Sequence, residues 1–267
     1  METSRINTAD RIGFLNPSRT AYDFLTKFSR FFCSGSTVSA ELLSELGSLT
    51  HLAALRLDRT QVTDASLVHL KGSTSLGLLD LNNTQVTDAG LVHLMGLTSL
   101  EWLSLESTQI TDAGLEHLKG LTNLEGLGLE NTQITGTGLE HLKGLTNLRD
   151  LDLDNTQVTD TGLEHLKGLT NLKWLWLDNT QVTDAGLVHL KGLTSLYQLD
   201  LNFTEVTDVG LEHLTGLTSL SLLRLPDTQV TAEGRAMLRK ALPSCEIDPY
   251  LSDTPIEQDA TPATMPR

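Results

Sequence analysis

The sequence is short of cysteine, of basic charge and of long apolar runs, and each shortage closes off a class of protein. Cys33 and Cys245 stand at opposite ends of the 267 residues. Two distant cysteines make no disulfide framework, and the expected location is reducing and cytoplasmic, with non-classical or effector-type secretion as the alternative. Against 34 acidic residues there are 19 basic ones, a formal net charge of -15. That balance disfavours DNA, RNA and anionic membrane surfaces, and favours a partner with a neutral or basic surface. No stretch approaches the roughly 18 apolar residues that a transmembrane helix needs. The first 30 residues carry Arg5, Arg11, Arg19 and Lys27 without the apolar block of a secretory signal peptide. There is no P-loop, dinucleotide fingerprint or G-x-S-x-G elbow. No cofactor is expected, and no enzyme activity.

What the chain does have is a period. From Leu100, LEWLSLESTQITDAGLEHLKGLTN is followed 24 residues later by LEGLGLENTQITGTGLEHLKGLTN. One threonine recurs at Thr60, Thr84, Thr108, Thr132, Thr156, Thr180, Thr204 and Thr228. A repeat of this length with L-x-x-L-x-L spacing predicts an α/β solenoid, curved, with a parallel concave sheet and short convex helices. Eight strand-bearing units begin at Leu52, Leu76, Leu100, Leu124, Leu148, Leu172, Leu196 and Leu220. Leucine pairs such as Leu103 and Leu105 point inward by the period of two, and the residues between them face out.

Three segments are expected. Residues 1–35 form an N-terminal arm followed by an amphipathic capping helix. That helix starts near Thr20 and carries Phe24, Phe28, Phe31 and Phe32 on one face. A solenoid exposes its core at its ends and needs such caps; the same aromatic face could instead dock a partner. Residues 36–247 are the solenoid, opened by a half repeat in which Val38, Leu43 and Leu46 match Val62, Leu67 and Leu70. Ala236, Leu238, Leu242 and Ile247 look like a closing helix and a final strand. Residues 248–267, rich in Pro, Thr and acids, are expected to be disordered.

Within each unit every recurring residue has a structural task. The central Thr hydroxyl satisfies turn backbone groups. A second Thr, as at Thr63 or Thr111, caps the convex helix, with Asp64 or Asp112 in its first turn. Gly96, Gly120 and their copies are expected to end the helices in a left-handed conformation. Gly136 stands where Asp112 and Asp160 stand in other units, so that helix start should be softer.

The L-x-x-L-x-L strand joined to T-x-V-T-D-x-G-L-x-x-L resembles the leucine-rich-repeat family, in a variant common in bacterial proteins including those of planctomycetes. The ending Ala241–Ile247, ALPSCEI, resembles the A-L-P-N-C-x-I closure of that group, with Ser244 in place of Asn. Thr60 and its copies replace the Asn common in the broader superfamily. The resemblance implies a curved protein-binding surface.

Three sets of residues could carry chemistry. A histidine column runs through His69, His93, His117, His141, His165, His189 and His213. Imidazole is a common metal ligand, but a ladder of equivalent residues is also what repeat duplication leaves behind, and no metal site is expected. Outward strand positions gather acids, among them Asp80, Glu106, Glu130, Asp150, Asp152, Asp154, Asp178 and Asp200. They could steer a basic protein; an open ladder gives no enclosed pocket for a paired-carboxylate enzyme. All three tryptophans, Trp102, Trp174 and Trp176, occupy outward positions, with Tyr197 beside them. Indole and phenol rings are efficient interface anchors. Arg56 and Arg224 mark the ends of this face. The expected function is a non-enzymatic protein-binding module using Trp102, Asp150, Asp152, Trp174, Trp176, Asp178, Tyr197 and Asp200. An adaptor or effector regulating another enzyme, with the N-terminal helix as a second contact, and a structural repeat protein without a specific ligand are the alternatives.

Overall fold

Ten short strands form one parallel sheet in chain order in the computed structural model, which describes residues 29–248 apart from 36 and 50. They are β1 (Ser29–Phe32), β2 (Leu52–Arg56), β3 (Leu78–Asp80), β4 (Trp102–Ser104), β5 (Gly126–Gly128), β6 (Asp150–Asp152), β7 (Trp174–Trp176), β8 (Gln198–Asp200), β9 (Leu222–Arg224) and β10 (Glu246–Ile247). Equivalent residues are in register along the stack, as in Leu79 beside Leu103 beside Leu127. The inward leucines, with Val86, Ile110, Val158 and their copies, form one continuous core and are almost wholly buried. Each such side chain contributes roughly 1.5–3 kcal/mol of transfer free energy. The central threonines are buried too, and donate to the carbonyl three residues back: Thr108 Oγ1 to Leu105 O at 2.5 Å, Thr180 Oγ1 to Leu177 O at 2.7 Å.

The convex side is a run of two-turn helices, one α turn followed by one 3₁₀ turn, as in Asp112–Leu115 and Glu116–Leu118. Thr87, Thr111, Thr183 and Thr207 cap them as expected, each accepting a backbone N–H two residues on. The aspartates do something the sequence did not announce. Asp184 Oδ1 and Oδ2 accept the N–H and the hydroxyl of Thr207 in the next unit, at 2.8 and 2.6 Å. The same staple joins Asp64 to Thr87, Asp88 to Thr111, Asp160 to Thr183 and Asp208 to Thr231.

The staple also explains the glycine of D-x-G-L. A Cβ on Gly210 would fall 2.4 Å from Asp184 Oδ1, and one on Gly90 equally close to Asp64 Oδ1. The rule has an internal control. Ala40 stands where the preceding Asp would be for the first full unit, and there Ser66 replaces Gly; its hydroxyl accepts the Thr63 N–H at 3.4 Å. At Gly136 the staple is missing and the backbone is left-handed, φ 108°, against Gly162 of the next unit. The helix that follows, Thr137–Leu142, is 3₁₀ throughout, the softer start expected from the sequence.

Two expectations need correction. Phe31 and Phe32, placed on the capping helix, lie on β1, which pairs parallel with β2. The first strand of a stack leaves a row of unpaired backbone groups, and β1 takes them up: Cys33 N donates to Arg56 O and Gly35 N to Asp58 O, both at 3.0 Å. The arm, the helical segment up to Phe28 and the tail beyond 248 lie outside the described residues. The second correction concerns Gly96, Gly120 and their copies, which are not left-handed. The helices end on i+3 bonds such as Leu97 N to Leu94 O, which need no positive φ. The left-handed residue of each unit falls after the strand instead, at Arg59, Asn83, Ser107, Asn131, Asn155, Asn179, Phe203 and Asp227, with φ of 52–58°. The closing helix, Ala232–Ala241, and β10 are where the sequence put them.

Candidate functional site

Pairing in register sorts the concave face into rows. One row reads Trp102, Gly126, Asp150, Trp174, Gln198; the next reads Ser104, Gly128, Asp152, Trp176, Asp200. Neighbours along a row stand about 4.8 Å apart, so a large side chain needs a small one beside it. β5 supplies the space, since both its concave positions are glycine. A Cβ on Gly126 would fall 2.1 Å from Cε3 of Trp102, and one on Gly128 would fall 3.0 Å from Oε1 of Glu106. Trp102 therefore lies across one end of β5 and Glu106 across the other. Ser104 Oγ donates to Glu106 Oε1 at 3.1 Å.

On β6 the acids cluster. Asp150 is 5% exposed and its Oδ2 has no hydrogen-bond partner. Burial holds its carboxyl well above the usual carboxylate range, and the charges of Asp152 and Glu106 add to this. Asp154, also buried, is pushed up to about 9 by burial and then by Asp152 and Asp178. β7 closes the far side with Trp174 and Trp176, both half-buried. Tyr197 is exposed and meets Trp174 edge-on, ring centroids 6.4 Å apart at 61°. Lys173 Nζ stands 6.0 Å from the centroid of the Trp174 ring.

Some acids serve the fold. Asp154 Oδ1 accepts the Asp178 N–H at 2.7 Å, and Asp178 Oδ1 accepts the Asn202 N–H at 2.9 Å, so these carboxylates tie turns of adjacent units. Asp200, 1% exposed, pairs with Arg224 at 3.3 Å; burial still raises its carboxyl to about 6. Asp80 pairs with Arg56 at 3.1 Å. Both arginines thus offset acids at the ends of the face, while the acids of β6 have no such neighbour in the next strand.

Of the eight residues expected to form the site, Trp102, Asp152, Trp174, Trp176, Asp178 and Tyr197 reach solvent. Asp150 and Asp200 do not, which corrects their placement as exposed contacts. The outward direction of a strand position says which face it joins, but not that neighbouring rings cover it. One residue escaped the sequence reading. Phe203 is 60% exposed in a left-handed conformation, at a column otherwise held mainly by Asn, Ser and Asp. Its departure from the column was the available signal.

The seven histidines are all partly exposed on the convex side. Among the described residues no group of three or more His, Cys, Asp or Glu could hold a metal ion, and no helix is long and apolar enough to cross a membrane. Both thiols are free.

The leucine rich repeat family model matches residues 98–158 and 122–182. No curated protein matches the chain significantly. Among solved structures, the chain is similar to internalin C2 from Listeria monocytogenes, with 30% sequence identity, a TM-score of 0.59, and coverage of 79% of this chain and 84% of the other.

Proposed function

We propose, from the premise that this chain belongs to the leucine-rich-repeat family, that the middle of its concave face docks a protein of neutral or basic surface. The chain is a non-enzymatic protein-binding module, structurally related to a bacterial internalin. The observation that carries the site is the set of four aromatic rings, Trp102, Trp174, Trp176 and Tyr197, on the solvent side of the units of β4, β7 and β8. The core is built almost wholly from aliphatic residues, and these rings lie outside it. Indoles at the centre of a concave surface are what hot spots are made of, and the acids around them favour a basic partner. Two free thiols fit a reducing compartment.

A second contact, through residues 1–35, belongs to the same reading. Phe31 on the terminal strand is 38% exposed, so an aromatic stands at that end of the stack as well. The resemblance of the repeat to that of planctomycete proteins fits a bacterial source.

The test is affinity capture from native-source lysate, followed by purified binding of whatever is retained. Wild type is compared with a folded Trp174→Ala/Trp176→Ala variant and with a chain lacking residues 1–28. A protein retained by wild type and lost by the double variant is the expected result. Equal retention by both would remove the site from the concave face, and loss only in the truncated chain would move it to the N-terminal segment.

A further inference from the structure

Among the described residues, Asp150 is the one carboxylate of the concave face that is buried with an oxygen lacking a hydrogen-bond partner. A buried acceptor without a hydrogen bond keeps the cost of its desolvation. The fold could avoid that cost with an apolar residue or with an arginine on a neighbouring strand, as it does for Asp80 and Asp200. Around Asp150 it does neither. Asp152 on the same strand and Glu106, leaning over from the β4 turn, are both acids that raise its charge cost. Of the basic groups nearby, Arg149 is paired with Glu125 at 3.0 Å and Lys173 stands over Trp174. The walls on either side are flat. Trp102 lies across Gly126 on one flank, and Trp174 stands in register with Asp150 on the other.

We propose that the trench over β6 is a slot for an arginine side chain of the partner protein, which pairs with Asp150 and stacks on the flanking indoles. This rests on the concave face being the docking surface and names the group recognised there. Arginine fits better than lysine because its planar guanidinium forks onto a carboxylate and stacks on an aromatic face. Asp150 is buried in the free protein, in register with Trp174 on one side and with Gly126, under the Trp102 ring, on the other. Both concave positions of β5 are glycine, so no β5 side chain on that face holds the Trp102 ring in place. Binding a cation favours the ionised carboxylate, so docking releases a proton and tightens as pH rises.

The experiment titrates an end-blocked tri-arginine peptide into the full chain at 150 mM salt and follows tryptophan fluorescence. Isosteric tri-citrulline and tri-lysine peptides are run beside it. Saturable binding of tri-arginine is expected, several-fold tighter than tri-lysine and absent with tri-citrulline. Asp150→Asn should weaken it about tenfold or more, whereas Glu212→Gln, which removes one exposed convex charge, should leave it unchanged. Wild-type affinity should rise from pH 5 to pH 8. Trp102→Ala, which removes one of the two flanking indoles, is the second variant; it should weaken binding while thermal melting reports that the solenoid is intact. No saturable tri-arginine binding, or equal losses in Asp150→Asn and Glu212→Gln, would overturn the slot. Loss with Trp174→Ala/Trp176→Ala but not with Asp150→Asn would also overturn it, yet leave the concave docking face standing. If the tryptophan variant binds tri-arginine as wild type does, the slot fails as drawn, and partner capture by that variant decides the face separately.

Discussion

Replacing Asp154 by Asn should make the protein more stable at neutral pH, and by more as the pH rises. The side chain is 7% exposed, and its Oδ1 accepts the Asp178 N–H at 2.7 Å. An Asn oxygen keeps that bond, so the substitution removes charge and little else. The folded carboxyl is pushed up to about 9, first by burial and then by Asp152, Asp178 and Asp200. A folded value above the unfolded one means that protonation favours the fold. Its contribution is therefore complete below about pH 4 and drains as pH rises toward 9. At pH 7 the chain stands about three units above the unfolded carboxylate. At about 1.4 kcal/mol per unit, the ceiling on the cost is about 4 kcal/mol. Sharing of protons among the neighbouring acids lowers the net gain of the variant to about 1–3 kcal/mol. Urea denaturation followed by circular dichroism at pH 5, 6, 7 and 8 measures it; urea is chosen because guanidinium would screen the charges. The variant's midpoint should exceed that of wild type at pH 7 and 8, and the gap should narrow toward pH 5. A gap that is constant with pH, or a variant less stable at pH 8, would refute the account.

Two further outcomes follow from the convex side and the rim. Asp184→Ala removes both staple bonds to Thr207 and should cost about 2 kcal/mol. Gly210→Ala should be destabilising in wild type, because its Cβ meets Asp184 Oδ1, but much milder in the Asp184→Ala background; thermal melts of the four proteins give the coupling, and additive effects would refute the steric link. Phe203→Asn should raise stability by about 0.5–1 kcal/mol, since Asn tolerates φ of 56° better than Phe. If Phe203 belongs to the docking surface, the same variant should bind the captured partner more weakly, which a titration of the purified pair would show.

The stack was legible because its signal repeats. Leu103 and Leu105, Ile110 and Thr108 recur every 24 residues, and no single substitution could blur the period. What stayed hidden depends on contacts between units. The Asp184–Thr207 staple joins residues 23 apart in sequence, so the Asp was assigned to its own helix N-terminus, where it also sits. Phe31 and Phe32 were assigned by their spacing to a helix, but an open sheet edge offered the backbone a better use than a lone helix face could. The period of two assigns each ring to a face, while the role of Gly126 and Gly128 appears only once Trp102 and Glu106 fold across them.

The two sides of the solenoid treat the same residue type in opposite ways, and the difference bears on function. On the convex side an aspartate such as Asp208 is held below the usual carboxylate range by the hydroxyl and N–H of Thr231, so its charge supports the fold. On the concave side Asp150 and Asp154 are held far above it, so their charge works against the fold. Both arrangements come from one repeat, and the convex solution, a hydroxyl and an N–H from the next unit, was available to both. Stability alone would have replaced Asp150 and Asp154 by Asn, which loses no hydrogen bond at Asp154 and removes a buried charge at Asp150. An unpartnered buried Asp150 in register with Trp174, in a sheet whose end acids do receive arginines, is accounted for if the missing cation arrives with the partner. The stability lost in the free protein then reappears as binding energy, and the Asp150→Asn and Asp154→Asn variants should separate the two: both stabilise, but only the first abolishes recognition of arginine.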